Sequence, residues 1–141
     1  MDQDKQKKIK MSEEKIKSAS IAIDKLEKEI EELEKYYENR VETNVDIFIG
    51  YVEKVLLLNN KIEEWEDYIY SHTNIICKLQ GKVIQKDPLL IARQKIRLQK
   101  YIAEFENKLQ NYKQARSATD LNKSQLVEKI EKLKEKLAKL G

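Results

Sequence analysis

The sequence predicts an all-α protein: an elongated antiparallel helical hairpin or coiled coil, turning near Asp87-Pro88, with an additional N-terminal helical segment. Three observations predict it. Charged residues make up 38% of the 141 and aromatics only 7%, with three glycines and one proline. That mix suits long helices and lacks the regular turn residues of sandwiches, barrels and βαβ units. Apolar residues recur every seven positions along most of the chain, which lays a stripe along one helix face. The lone proline follows an aspartate between two such patterns. So few aromatics favour a narrow seam over a broad core. One domain is expected at this length, spanning 1–141, with helical segments at about 9–42, 45–85 and 88–140.

The first segment carries Ile9, Ile16, Ile23, Ile30 and Tyr37 at seven-residue intervals, with Ser12, Ala19, Leu26 and Leu33 between them. That is an a/d seam. In the second, Phe48, Val55, Ile62, Ile69, Ile76 and Val83 interleave with Tyr51, Leu58, Trp65, His72 and Leu79. Eleven residues rather than seven separate Tyr37 from Phe48, so the registers join through a stutter or a break. Thr43 or Asn44 offers an N-cap for a hinge there. The third segment sets Ile91, Leu98, Phe105, Tyr112, Thr119, Leu126, Leu133 and Leu140 in one position. Lys95, Ile102, Leu109, Arg116, Lys123, Ile130 and Leu137 share the other. Its middle is polar, and SATDLNKS (117–124) either bends the helix or starts a new one capped by Asp120 or Ser124.

Asp87-Pro88 has a simple reading as a corner. Proline suits the first helical position, where its missing N–H costs nothing, and aspartate is a good N-cap. Proline also drives the preceding residue out of the α region, so the second helix should end near Gln85. A short connector makes the flanking helices antiparallel. Folding about it pairs Val83 with Ile91, Ile76 with Leu98, Ile69 with Phe105 and Ile62 with Tyr112, seam residue against seam residue. Charge agrees. Residues 18–77 hold 6 basic and 14 acidic side chains, a net of −8; residues 78–141 hold 16 and 7, a net of +9.

Two apolar stretches are left over. Val55, Leu57 and Leu58 fall opposite the polar stretch 116–123. The 9–33 seam extends past the C-terminal end by roughly 35 Å at about 1.5 Å per residue. Such an isolated amphipathic helix is marginal in water. Either it folds back over Val55–Leu58 or it meets another chain, and the second is the favoured expectation. Ile9, Ile16, Ile23, Leu26, Ile30, Leu33, Val55, Leu57 and Leu58 are therefore the candidate protein interface.

Little in the sequence suggests catalysis. The glycines are isolated, there is no CxxC or HExxH, and His72 is the only histidine. At a seam position, it reads as packed between helices with one ring nitrogen satisfied. Cys77, beside two isoleucines, reads as a small buried apolar residue rather than a nucleophile. Glu63-Glu64 and Glu66-Asp67 flank Trp65 on what reads as a solvated face. Most tyrosines fall at seam edges rather than forming a base-stacking platform. No enzyme activity, cofactor or metal is expected.

The stretch 78–100 is basic. Lys78, Lys82, Lys86, Arg93, Lys95, Arg97 and Lys100 stand against Asp87 alone, and they are the candidate contacts for an anionic partner such as nucleic acid. The plainer reading is that they balance the acidic flank at 61–67. With no signal-peptide-like start, no membrane span and one cysteine, the expected location is cytoplasmic, or nuclear in a eukaryote. The function expected is a non-enzymatic coiled-coil assembly subunit or adaptor, binding a protein partner or itself as a homo- or hetero-oligomer. The alternative is a non-specific nucleic-acid-binding hairpin using 78–100. By fold-level analogy alone, a further alternative is a stalk or escort protein of a secretion apparatus.

Overall fold

The computed structural model describes residues 2–38, 40, 45–83, 87–114 and 120–140, with side chains at all of these except 111–114 and 120–123. The all-α class holds. Among the described residues the regular structure is α1 (Asp2–Tyr37), α2 (Val45–Leu79), α3 (Pro88–Gln114) and α4 (Asp120–Lys139). No helix among them is long and apolar enough to cross a membrane.

The helix ends show local chemistry at work. α1 opens with Asp2 and Asp4 and closes with Lys35, charges that complement its macrodipole. It stops at Tyr37, where the Arg40 N–H donates to the Tyr37 carbonyl at 3.0 Å. The two registers are thus joined by a break; the expected cap at Thr43 or Asn44 lies outside the described residues. α2 stops at Leu79, six residues before the expected Gln85. Gly81, at φ +71°, ends it. The Lys82 N–H donates to the Cys77 carbonyl at 2.8 Å and the Gly81 N–H to Lys78 at 3.2 Å. This is the Schellman pair of bonds, with glycine in its left-handed position. α3 begins at Pro88 as expected. The expected segment 88–140 is two helices, since α4 starts afresh at Asp120.

The chain divides into two compact units, Met1–Glu32 with Leu56–Asp87, and Leu33–Val55 with Pro88–Gly141. In the first, α1 and α2 run antiparallel. His72 Nδ1 lies 3.3 Å from Ser12 Oγ, while Ser18, further along α1, shares a groove with Trp65, earlier on α2. Ser12, Ala19, Ile30, Asn59, Ile62 and Glu66 are its buried residues. Small side chains at Ser12 and Ala19 leave room for a neighbouring helix. Of the two placements expected for the 9–33 seam, the first unit shows the folding back: α1 packs on α2 within the same molecule.

The second unit has an aromatic core. Phe105 touches three rings, with centroids at 6.2 Å to Phe48, 6.3 Å to Tyr51 and 6.1 Å to Tyr101. Val45, Val52, Val55, Leu98, Ile102, Leu109, Leu126, Ile130 and Leu133 complete the buried apolar set. The expected partner of Phe105 was Ile69. Its actual ring partners begin at Phe48, three heptads earlier on α2. Ion pairs join the helices at the rim: Lys134 to Glu106 at 2.6 Å, Lys129 to Glu53 at 3.8 Å and Lys100 to Glu34 at 3.1 Å. Each keeps at least one partner exposed to solvent, so they set register more than stability.

Candidate interaction surfaces

The interface residues expected from the sequence do not share one environment. Val55 is 0% exposed and Ile30 is buried, so neither has surface to offer a partner. Val55 was expected to lack cover; the second unit's core supplies it. Ile9, Ile16, Ile23, Leu26, Leu33 and Leu58 are half-buried. Leu57 alone of the set is well exposed, at 57%. The reason is geometric: a helix paired on one side covers its a/d line only partly, and Leu57 lies off that line.

The buried line of α2 also differs from the expected one. Phe48, Val52, Val55, Asn59, Ile62 and Glu66 are buried in succession, at alternating steps of four and three. Tyr51 is buried too, but Trp65 is left exposed. Asn59 and Glu66 thus occupy positions that the apolar pattern assigned to Leu58 and Trp65. The Asn59 Nδ2 donates to Glu63 Oε1 at 3.1 Å, which meets part of the amide's hydrogen-bonding need. Glu64 and Asp67 are exposed as expected, whereas Glu66 is not on a solvated face.

His72 sits where the seam reading placed it, half-buried, bonded to Ser12 and edge-on to Tyr68 at 4.5 Å. Cys77 is half-buried. A strong electrostatic perturbation lies in the second unit, where the Tyr51 hydroxyl donates to Glu104 Oε1 at 2.6 Å. Burial pushes this phenol well above its usual range, and the bond to Glu104 adds to the effect. Lys108 lies 3.8 Å from the same carboxylate and 5.3 Å from the Tyr51 ring centroid. Nearby, Lys54 donates to the Tyr37 hydroxyl at 2.7 Å, a bond that raises the ammonium's pKa. These contacts tie helices together.

The basic residues of 78–100 fall in both units. Lys78 and Lys82 are exposed in the first unit; Arg93, Lys95, Arg97 and Lys100 belong to the second, and Lys86 lies outside the described residues. Arg93 and Lys100 face outward, Lys95 and Arg97 are half-buried, and Lys100 is engaged by Glu34.

Apart from Leu57, the large apolar side chains left exposed lie outside the interface set expected from the seams. In the first unit a groove of about 350 Å³ lies between α1 and α2, lined by Met11, Glu14, Lys15, Ser18, Trp65 and Tyr68. Met11, Ile21, Leu57, Trp65 and Ile75 are exposed there, as are Leu89 and Ile96 on α3 in the second unit. On α3 the available signal was the seven-residue spacing of Leu89 and Ile96 beside the main seam. The chain matches no protein-family model, no curated protein and no solved structure.

Proposed function

We propose that the chain is a non-enzymatic assembly subunit or adaptor that binds a protein partner by helix packing. One observation carries the reading: the first unit leaves Met11 and Trp65 exposed along an open groove between two paired helices. Grooves of this kind take an amphipathic helix through a few large apolar anchors, and apolar surface grouped in this way marks interaction sites. Leu57 and Ile75 extend the exposed apolar surface of α2.

The test is crosslinking in the producing cell, with a photoreactive phenylalanine analogue in place of Trp65. A discrete adduct to one protein is expected, lost when Met11→Glu is added. No adduct, or one indifferent to Met11→Glu, removes the reading. The alternative of a non-specific nucleic-acid-binding hairpin has one observation in its favour, the absence of acidic residues from Pro88 to Ala103. It requires DNA or RNA binding that weakens steeply with salt.

A further inference from the structure

α3 carries a second heptad line on the side opposite its buried one. Leu98, Tyr101, Ile102, Phe105 and Leu109 face the core. At 3.6 residues per turn the opposite side runs Leu89, Arg93, Ile96, Lys100, Ala103, and all five are exposed. Their steps alternate between four and three, the spacing of a coiled-coil seam. Leu89 is 71% exposed and Ile96 64%. Two large aliphatic side chains therefore alternate with two cations along one outward line. From Pro88 through Ala103 there are four basic residues and no acidic one. A face that serves only solubility has no need of aliphatic residues at heptad spacing.

We infer that this line docks an acidic amphipathic helix of a partner protein, with aliphatic residues at heptad spacing and carboxylates between them. Leu89 and Ile96 supply the apolar contacts; Arg93 and Lys100 meet the carboxylates. The molecule contains a small version of this pairing, since the α1 carboxylate of Glu34 lies 3.1 Å from Lys100 Nζ. A second copy of α3 is a poor occupant, because it adds cations to a seam that already holds them. Nucleic acid is a poorer match than an acidic helix, because phosphates gain nothing from covering Leu89 and Ile96. The inference rests on the adaptor reading and adds to it a surface and a partner chemistry.

The probes are two fluorescent heptad-repeat peptides with leucine at the d positions, one carrying glutamate and the other lysine at the a positions. A short DNA duplex and phosphatidylserine vesicles are measured beside them, all against the full chain. The glutamate peptide should bind, and the lysine peptide at least about tenfold more weakly. Arg93→Glu with Lys100→Gln should erase or reverse that preference; glutamine at 100 avoids facing Glu34 with another carboxylate. Ile96→Asp should abolish binding. Circular dichroism should show unchanged helicity, since the altered positions are exposed. No binding of either peptide, equal binding of both, or indifference to Arg93→Glu overturns the inference. So does tighter binding of DNA or vesicles than of the glutamate peptide. If the peptide test fails while the Trp65 crosslink persists, only the α3 docking line falls; loss of the crosslink counts against the adaptor reading itself.

Discussion

The two units use the same heptad periodicity to build different interiors. In the first, α1 and α2 meet through small and polar residues, with Ser12, Ala19, Asn59 and Glu66 buried beside Ile30 and Ile62. In the second, Phe48, Tyr51, Tyr101 and Phe105 gather with aliphatic residues from α2, α3 and α4. Large rings bury area that a single pair of helices cannot enclose, so an aromatic seam recruits further helices. Small residues do the reverse: they let two backbones approach and leave the outer faces open. The first unit is accordingly where the groove and most of the exposed apolar residues lie.

The sharpest way to break this comparison is to exchange the sizes of the central residues. Phe105→Ala should cost about 3–5 kcal/mol, the usual loss for a buried aromatic ring. Ala19→Leu should cost about 1–3 kcal/mol by overpacking the narrow seam. Chemical denaturation measures both, and hydrogen exchange localises them: Phe105→Ala should loosen 45–55 and 98–109, and Ala19→Leu should loosen 56–79. If the order of the two costs is reversed, the aromatic core is not what stabilises the second unit.

A smaller effect isolates the Tyr51–Glu104 bond. Tyr51→Phe leaves the ring in place and removes the donor, at about 1.5–3 kcal/mol for a hydrogen bond to a charged acceptor. The folded phenol titrates well above its ordinary value. Its contribution is therefore complete below about pH 10, where the unfolded tyrosine is still protonated. It is lost as pH rises further, because the unfolded chain ionises and the folded one resists. Urea melts at pH 8 and above pH 10, conditions chosen on either side of about 10, should show the wild type losing stability that Tyr51→Phe does not lose. Parallel losses in both proteins would show that the bond has no such role.

The smallest expected effect tests the corner. Gly81→Ala meets no atom within 4 Å of the added Cβ, so its cost is only that of a left-handed backbone, about 1–2 kcal/mol. A cost near zero would mean that the end of α2 is determined elsewhere.

Much of the helical layout was legible in the sequence. Composition and period gave the all-α class, and Pro88 marked the start of α3. Asp120 was one of two candidate caps for the last helix, and His72 was placed at a helix interface. Gly81, seven residues before Pro88, was legible too as a helix stop, since an isolated glycine just past an apolar pattern suits the left-handed end of a helix. Less legible were Asn59 and Glu66. An apolar pattern assigns burial by residue type, and a polar residue is buried where its neighbours cover it.

Pairing was the part that only the tertiary structure decided. A heptad seam specifies which face of a helix is buried and leaves open which helix covers it. Sliding one seam along another by seven residues keeps every apolar position opposite an apolar position. Phe105 was expected opposite Ile69 and is found against Phe48, 21 residues earlier and still on the same seam line. Periodicity cannot distinguish these registers. What separates them is side-chain volume and hydrogen bonding: rings that fit together around Phe105, a hydroxyl that reaches Glu104, and a serine small enough to sit beside His72. The sequence by itself determined the helices and their apolar stripes; packing in three dimensions decided that α1 turns back on α2 and that α3 presents Leu89 and Ile96 to solvent.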